Sequence, residues 1–177
     1  ANQLFRQSGS SAKSGEKPTG PLSMKSIASM SMDDWNLRVQ AADKGDFRSL
    51  IESAMQISDA TLRRKVITAI VDRWLREDVN GFTKYWASLE VNGADGKLAM
   101  VALALQDSLT NLDPKLAASD EIFVIVQRLI SYLSGTDPER ALAWAEKWLM
   151  NDTLDQAKVS IARNMAKTDI PRGPALN

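Results

Sequence analysis

The sequence predicts an all-α protein, with stacked antiparallel helical hairpins forming a short right-handed α-solenoid. Three observations point there. After about residue 30, apolar residues recur at spacings of three and four in one segment after another. The segments are joined by only a few residues, rich in Asp, Ser, Asn, Gly and Pro, and such short connections favour antiparallel neighbours. Asp also returns at a fixed interval where one helix hands over to the next. No stretch alternates with period two between hairpin turns. Phe123-Val124-Ile125-Val126 is where a strand could compete, and it lies inside a longer capped helical pattern.

Residues 1–30 read as a tail. Ser8 to Pro21 is rich in Ser, Gly and Pro and has no periodicity, so it cannot bury enough apolar surface to offset its ordering entropy. The tail is mildly basic, with Arg6, Lys13, Lys17 and Lys25 against Glu16. It is either a flexible linker or an arm that docks on a partner.

The helical-repeat domain is expected over residues 31–170. Ser31 caps a first helix, with Asp34 completing the box and Trp35, Val39 and Ala42 on one face; Gly45 stops it. Asp46 caps the next, whose stripe is Phe47, Leu50, Ile51 and Ala54. A longer helix starts at Ser58 or Asp59 and presents Leu62, Val66, Ala69, Ile70 and Trp74. Its other side, with Arg63, Arg64, Lys65, Arg73 and Arg76, is a solvated face or a basic binding stripe. Asn80 begins a short helix with Phe82, Tyr85, Trp86 and Leu89, closed by the loop 91–96. Leu98, Val101, Ala102, Leu105 and Leu109 mark a small-residue helix.

Asp113-Pro114 is a cap with proline in the first turn, where a missing N–H costs nothing. Ser119 or Asp120 then restarts a helix through Ile122, Ile125, Val126, Leu129, Ile130 and Leu133. It reads as apolar nearly all round, hence central, and Gly135 stops it. Asp137-Pro138 repeats the cap-and-proline device ahead of Leu142, Ala145, Trp148 and Leu149. Asn151 or Asp152 caps a last helix with Leu154, Ala157, Ile161 and Met165 inward. Residues 171–177, with Pro171 and Pro174, form a C-terminal extension. Some nine helices are expected.

The Asp interval strengthens the solenoid expectation. Asp43, Asp78 and Asp113 stand 35 residues apart. Asp137 begins another unit after a shortened interval, and Asp169 follows. A period in the mid-thirties with two helices per unit is the mark of stacked hairpins, because one hairpin cannot bury its own apolar face. The recurring Asp is expected to cap helices, which is worth about 1 kcal/mol each.

The segments Arg73-Trp74-Leu75-Arg76-Glu77-Asp78 and Asp137-Pro138-Glu139-Arg140-Ala141-Leu142-Ala143-Trp144 resemble the degenerate tryptophan-bearing repeats of tetratricopeptide-like and HEAT-like proteins. They are similar to bacterial forms written roughly RW-x-x-x-DP-x-x-AL-x-W. The resemblance covers about residues 35–170. The unit at Asp43 lacks the proline, that at Asp78 lacks proline and Ala-Leu, and that at Asp113 lacks the tryptophan. It implies an α-solenoid that binds other proteins or peptides, and it carries no catalytic residues.

Composition narrows function by elimination. The 177 residues suit one domain of ordinary size, and Lys plus Arg balance Asp plus Glu at 22 each, so nucleic acid is an unfavoured partner. No apolar run approaches the roughly 20 residues that span a bilayer. There is no Cys and no His, which removes disulfides, thiol catalysis, imidazole ligands and the commonest general base. No cofactor or metal is expected. A periplasmic or secreted setting is favoured over the cytoplasm, and Ala1 and Asn177 read as cut ends.

The function expected is a non-enzymatic protein–protein interaction or assembly module. The alternative is a carbohydrate-acting helical enzyme using carboxylates, for which Asp33-Asp34 and Glu77-Asp78 are the adjacent pairs. Asn92-Gly93-Ala94-Asp95-Gly96 lacks the ligand pattern of a phosphate or metal loop and reads as a connector. Trp35, Trp74, Trp86, Trp144 and Trp148 are expected mostly as inter-helix core, with one or two as exposed anchors. The candidate partner-binding residues are Trp86, Trp144, Arg73 and Arg76.

Overall fold

In the computed structural model the described residues are 22–169, and they form ten α-helices with no strand among them. The helices are α1 Met24–Ser29, α2 Met32–Ala41, α3 Phe47–Ala54, α4 Ala60–Glu77, α5 Val79–Val91 and α6 Asp95–Thr110. They continue with α7 Pro114–Ala117, α8 Asp120–Thr136, α9 Pro138–Trp148 and α10 Asn151–Asp169. The C-terminal extension and the first 21 residues of the expected tail lie outside the described residues. Residues 24–29, also expected as tail, are helical: Ser23 accepts a hydrogen bond from the Ser26 N–H and Ile27 is buried.

The chain divides after Ala117 into two compact units. In the first, α4 packs against α2, α3, α5 and α6, and α5 also packs against α6. In the second, α8, α9 and α10 pack on one another.

Two of the marker aspartates build the same joint. Asp78 ends α4 and begins α5; its N–H donates to the Trp74 carbonyl at 2.7 Å, and its carboxylate accepts the Gly81 N–H at 3.0 Å. Asp137 does the same between α8 and α9, with the Leu133 carbonyl at 2.7 Å and the Arg140 N–H at 3.3 Å. Both sit near φ −155°, extended backbone that turns one helix directly into the next. One residue thus satisfies groups at both helix ends, and no loop is needed.

Buried positions follow the joint. Before Asp78 they are Val66, Ile67, Ile70, Val71, Trp74 and Leu75; at the same offsets before Asp137 they are Ile125, Val126, Leu129, Ile130, Leu133 and Ser134. After Asp78 come Phe82, Tyr85, Trp86 and Leu89, which match buried Ala141, Trp144 and Ala145 and half-buried Trp148 after Asp137. Phe47, Leu50, Ile51 and Ala54 occupy these offsets after Asp43. Asp113 keeps the same register although α6 ends earlier, at Thr110 with Asn111 as its C-cap; Val101, Ala102, Leu105, Gln106 and Leu109 are buried before it. The helix after it, however, is cut to the four residues of α7. That cut explains the shortened interval to Asp137, and it coincides with the division between units.

Several local expectations are corrected. The N-cap position of α3 is Asp46 rather than the marker Asp43, and Asp46 makes no forward cap bond; its carboxylate accepts the N–H of Asp43 at 2.8 Å across a turn. Asp78, not Asn80, begins α5. Gly135 lies inside α8, which ends only at the Asp137 joint. α8 is one-sided, since Val124, Gln127, Arg128 and Ser131 are exposed. Among the residues of α10 whose burial is described, Ile161 alone is buried, while Met165 is exposed.

Several side-chain bonds cross between helices. Arg73 reaches the Gln40 carbonyl from α4 to α2, Tyr85 reaches Glu52 from α5 to α3, and Thr68 reaches Asp107 from α4 to α6. Asn164 on α10 donates to Ser134 on α8. These pairs are 30 to 39 residues apart, and each joins two helices that stand two apart along the chain.

Candidate partner-binding groove

The four residues singled out in sequence do not converge on one site. Trp86 is fully buried and is core, because α5 turns the whole Phe82-Tyr85-Trp86-Leu89 stripe inward. Trp144 is 9% exposed and stacks on Trp148 with ring centroids 6.3 Å apart, under the Lys147 ammonium. Arg73 donates to the Gln40 carbonyl and lies 4.0 Å from Glu77, so it clasps α4 to α2. Arg76 pairs with Asp72 one turn back at 2.9 Å. Neither arginine belongs to a continuous basic stripe.

The adjacent carboxylates also have local tasks. Asp34 and Ser31 exchange a capping box, and the hydrogen bonds from the Ser31 backbone and hydroxyl hold the Asp34 carboxyl below its ordinary range. Asp78 is the joint described above, and Glu77 lies near Arg73. Asn92-Gly93-Ala94 is a connector in which Gly93 takes φ +63°. Among the described residues no group of three or more His, Cys, Asp or Glu is placed to hold a metal, and no helix is long and apolar enough to cross a membrane.

What sequence reasoning missed is a groove of about 740 Å³ in the first unit. All its lining residues come from α2, α4 and α6, and none from α3 or α5. Met100, Leu103 and Asp107 follow one another on α6 at helical spacing, outside the buried stripe. They face the Ala60, Arg64, Ile67 and Thr68 side of α4. Met32 borders the groove from α2, and Leu103 is 41% exposed within it.

One bidentate pair joins the two walls. The Arg64 guanidinium donates to both Asp107 oxygens at 2.8 and 2.9 Å, and the Thr68 hydroxyl adds a third bond at 3.3 Å. The Arg64 bonds lower the Asp107 carboxyl more than burial raises it. Asp107 is therefore held ionised, and Arg64 correspondingly stays charged. Arg63 anchors itself on the Ile57 carbonyl at 2.8 Å and, with Lys65, leaves the rim cationic.

A second polar cluster centres on Glu52. Tyr85 and Lys97 each bond Glu52 at 2.5 Å, and Arg48 sits 5.5 Å over the Tyr85 ring. Burial and the Glu52 carboxylate push the Tyr85 phenol far up, so it remains a donor at any ordinary pH. Burial opposes ionisation of Glu52, but the Lys97 and Tyr85 bonds together prevail and lower its carboxyl. This cluster fastens α3, α5 and α6.

In the second unit a cleft of about 210 Å³ between α8 and α10 is lined by Gln127, Ser131, Ser134, Thr153, Gln156 and Ser160 among others, with no charged side chain. Comparison with protein-family models, curated proteins and solved structures finds no match to this chain. The sequence signal for the groove was faint but present: Met100 and Leu103 are apolar residues off the stripe that buries α6.

Proposed function

We propose that the chain is a non-enzymatic protein–protein interaction or assembly module on an α-helical repeat scaffold, with the short right-handed α-solenoid as its finer form. The observation that carries this reading is the groove lined from α2, α4 and α6, the first helices of three successive pairs. Side-by-side first helices present one continuous surface, which is how stacked hairpins bind partners. The recurring Asp joint supports the scaffold part of the reading, because it sets the same buried register in both units. The tetratricopeptide-like and HEAT-like resemblance points to a protein or peptide partner.

The test is affinity purification of the intact chain from its native source, with quantitative mass spectrometry. A stoichiometric protein partner is the expected result. Retention of no protein contradicts the proposal. So does a carbohydrate-cleaving activity of the purified chain that disappears when one carboxylate is replaced by its amide.

A further inference from the structure

The proposed binding role can be narrowed to a partner class by the chemistry of the α4–α6 groove; this step rests on the interaction-module reading. Three features of the groove decide between occupants. Its floor is apolar, with Met32, Ile67, Met100 and Leu103, and the exposed Leu103 is a ready anchor site. Its rim is basic: Arg63, Arg64 and Lys65 stand against Asp107 alone, and Asp107 is bound to Arg64 on both oxygens. Its walls are two helix faces, which suit a helix laid between them.

Complementarity therefore favours an amphipathic helix that is acidic on its polar face. From the observations above we infer that the groove between α4 and α6 binds an acidic amphipathic helical peptide of a partner protein. Apolar residues at i, i+3/i+4 and i+7 would cover Met100 and Leu103, and carboxylates beside them would face Arg63 and Lys65. The chain's own N-terminal segment is the wrong sign for this place, because Arg6, Lys13 and Lys17 outnumber Glu16. A nucleic acid is disfavoured too. Its phosphates would meet the Asp107 carboxylate and an apolar floor, and three rim cations neutralise little of its charge.

The measurement is fluorescence anisotropy of the full chain with a labelled peptide of about 15 residues, long enough to form a helix on a surface, with Leu at the anchor spacing and Glu elsewhere. Comparison probes are the same peptide with Lys for Glu, and a single-stranded oligonucleotide. The acidic peptide is expected to saturate, to weaken with added salt, and to lose roughly tenfold in affinity with Leu103→Glu and several-fold with Lys65→Glu. Val91→Glu, an exposed position on α5 outside the groove, is expected to leave binding unchanged. Circular dichroism of each variant confirms that the helices remain.

Binding of the acidic peptide that ignores Leu103→Glu overturns the inference, as does equal or tighter binding of the basic peptide or the oligonucleotide. No saturation by the acidic peptide overturns it as well. A native partner that is still captured by the Leu103→Glu chain removes this groove while leaving the interaction module standing; absence of any native partner removes the module itself.

Discussion

The Asp78 and Asp137 joints share a register but are filled differently. At Asp78 the ring of Trp74 is packed by Phe47, Phe82 and Tyr85, with centroids 5.6, 5.5 and 5.3 Å away. At Asp137 the same offsets hold Leu133, Ala141 and Trp144, and the aromatic contact is between Trp144 and Trp148. The surfaces above differ in parallel: an apolar groove with a basic rim on α4 and α6, an uncharged polar cleft on α8 and α10. One helical joint thus accepts two kinds of core and carries two kinds of surface. The buried register is common to both joints, and the surface chemistry is local to each unit.

The sharpest way to break the comparison is to exchange fillings at equivalent positions. Phe82→Ala puts into the first joint the residue that Ala141 supplies in the second. It is expected to cost about 3–5 kcal/mol, since neighbouring rings cannot collapse into the gap. The reverse change, Ala141→Phe, overfills its site and is expected to cost about 1–3 kcal/mol. Urea unfolding followed by tryptophan fluorescence measures both. A Phe82→Ala loss below about 1 kcal/mol would mean that the aromatic packing around Trp74 is looser than described.

The next effect concerns the residue three positions past each aspartate. A Cβ at Gly81 would stand 2.1 Å from the Asp78 carboxylate and 3.2 Å from Trp74 Nε1, so the cap must give way. Gly81→Ala is expected to destabilise by about 1–2 kcal/mol through loss of that cap. Its counterpart Arg140 already bears a Cβ, and Arg140→Ala is expected to change stability by less than about 0.5 kcal/mol. Thermal melts of the two variants make the contrast visible: a smaller loss for Gly81→Ala than for Arg140→Ala contradicts this account of the joint.

A smaller effect is the acid response of the first unit. Glu52 and Asp107 have carboxyls lowered from ordinary values of 4.5 and 3.8. Their contribution is therefore fully present above those values and is lost as pH falls through the lowered ones. Glu52→Gln and Asp107→Asn should each flatten the fall in stability below about pH 4.5, while costing some stability at neutral pH. An acid profile unchanged by both substitutions would show that these pairs do not contribute to folding.

The helical class and the residues that punctuate it were legible in the sequence, because capping and 3.6-residue periodicity are local. Ser31 with Asp34, Asp59, Ser119 and Asp137 all cap as their types require. The Asp113-Pro114 turn and the shortened interval were legible as well. The apolar character of α8 misled, because Val124 looks like core until the packing of α9 and α10 decides which face is covered. Trp86 and Trp144 misled as anchors for a related reason: size marks an aromatic as important, and only the helix face says where it points. The groove was hidden because it is a relation between α4 and α6, and Arg64 and Asp107 are 43 residues apart.

The most direct test of the central claim places a photo-crosslinking side chain at Leu103 in the groove and, separately, at Val91 on α5, in the full chain in its native source. Covalent capture of a protein partner is expected from position 103, and none of that partner from position 91. Equal capture from both positions, or none from 103 while the chain still retains a partner, would contradict the groove as its binding surface.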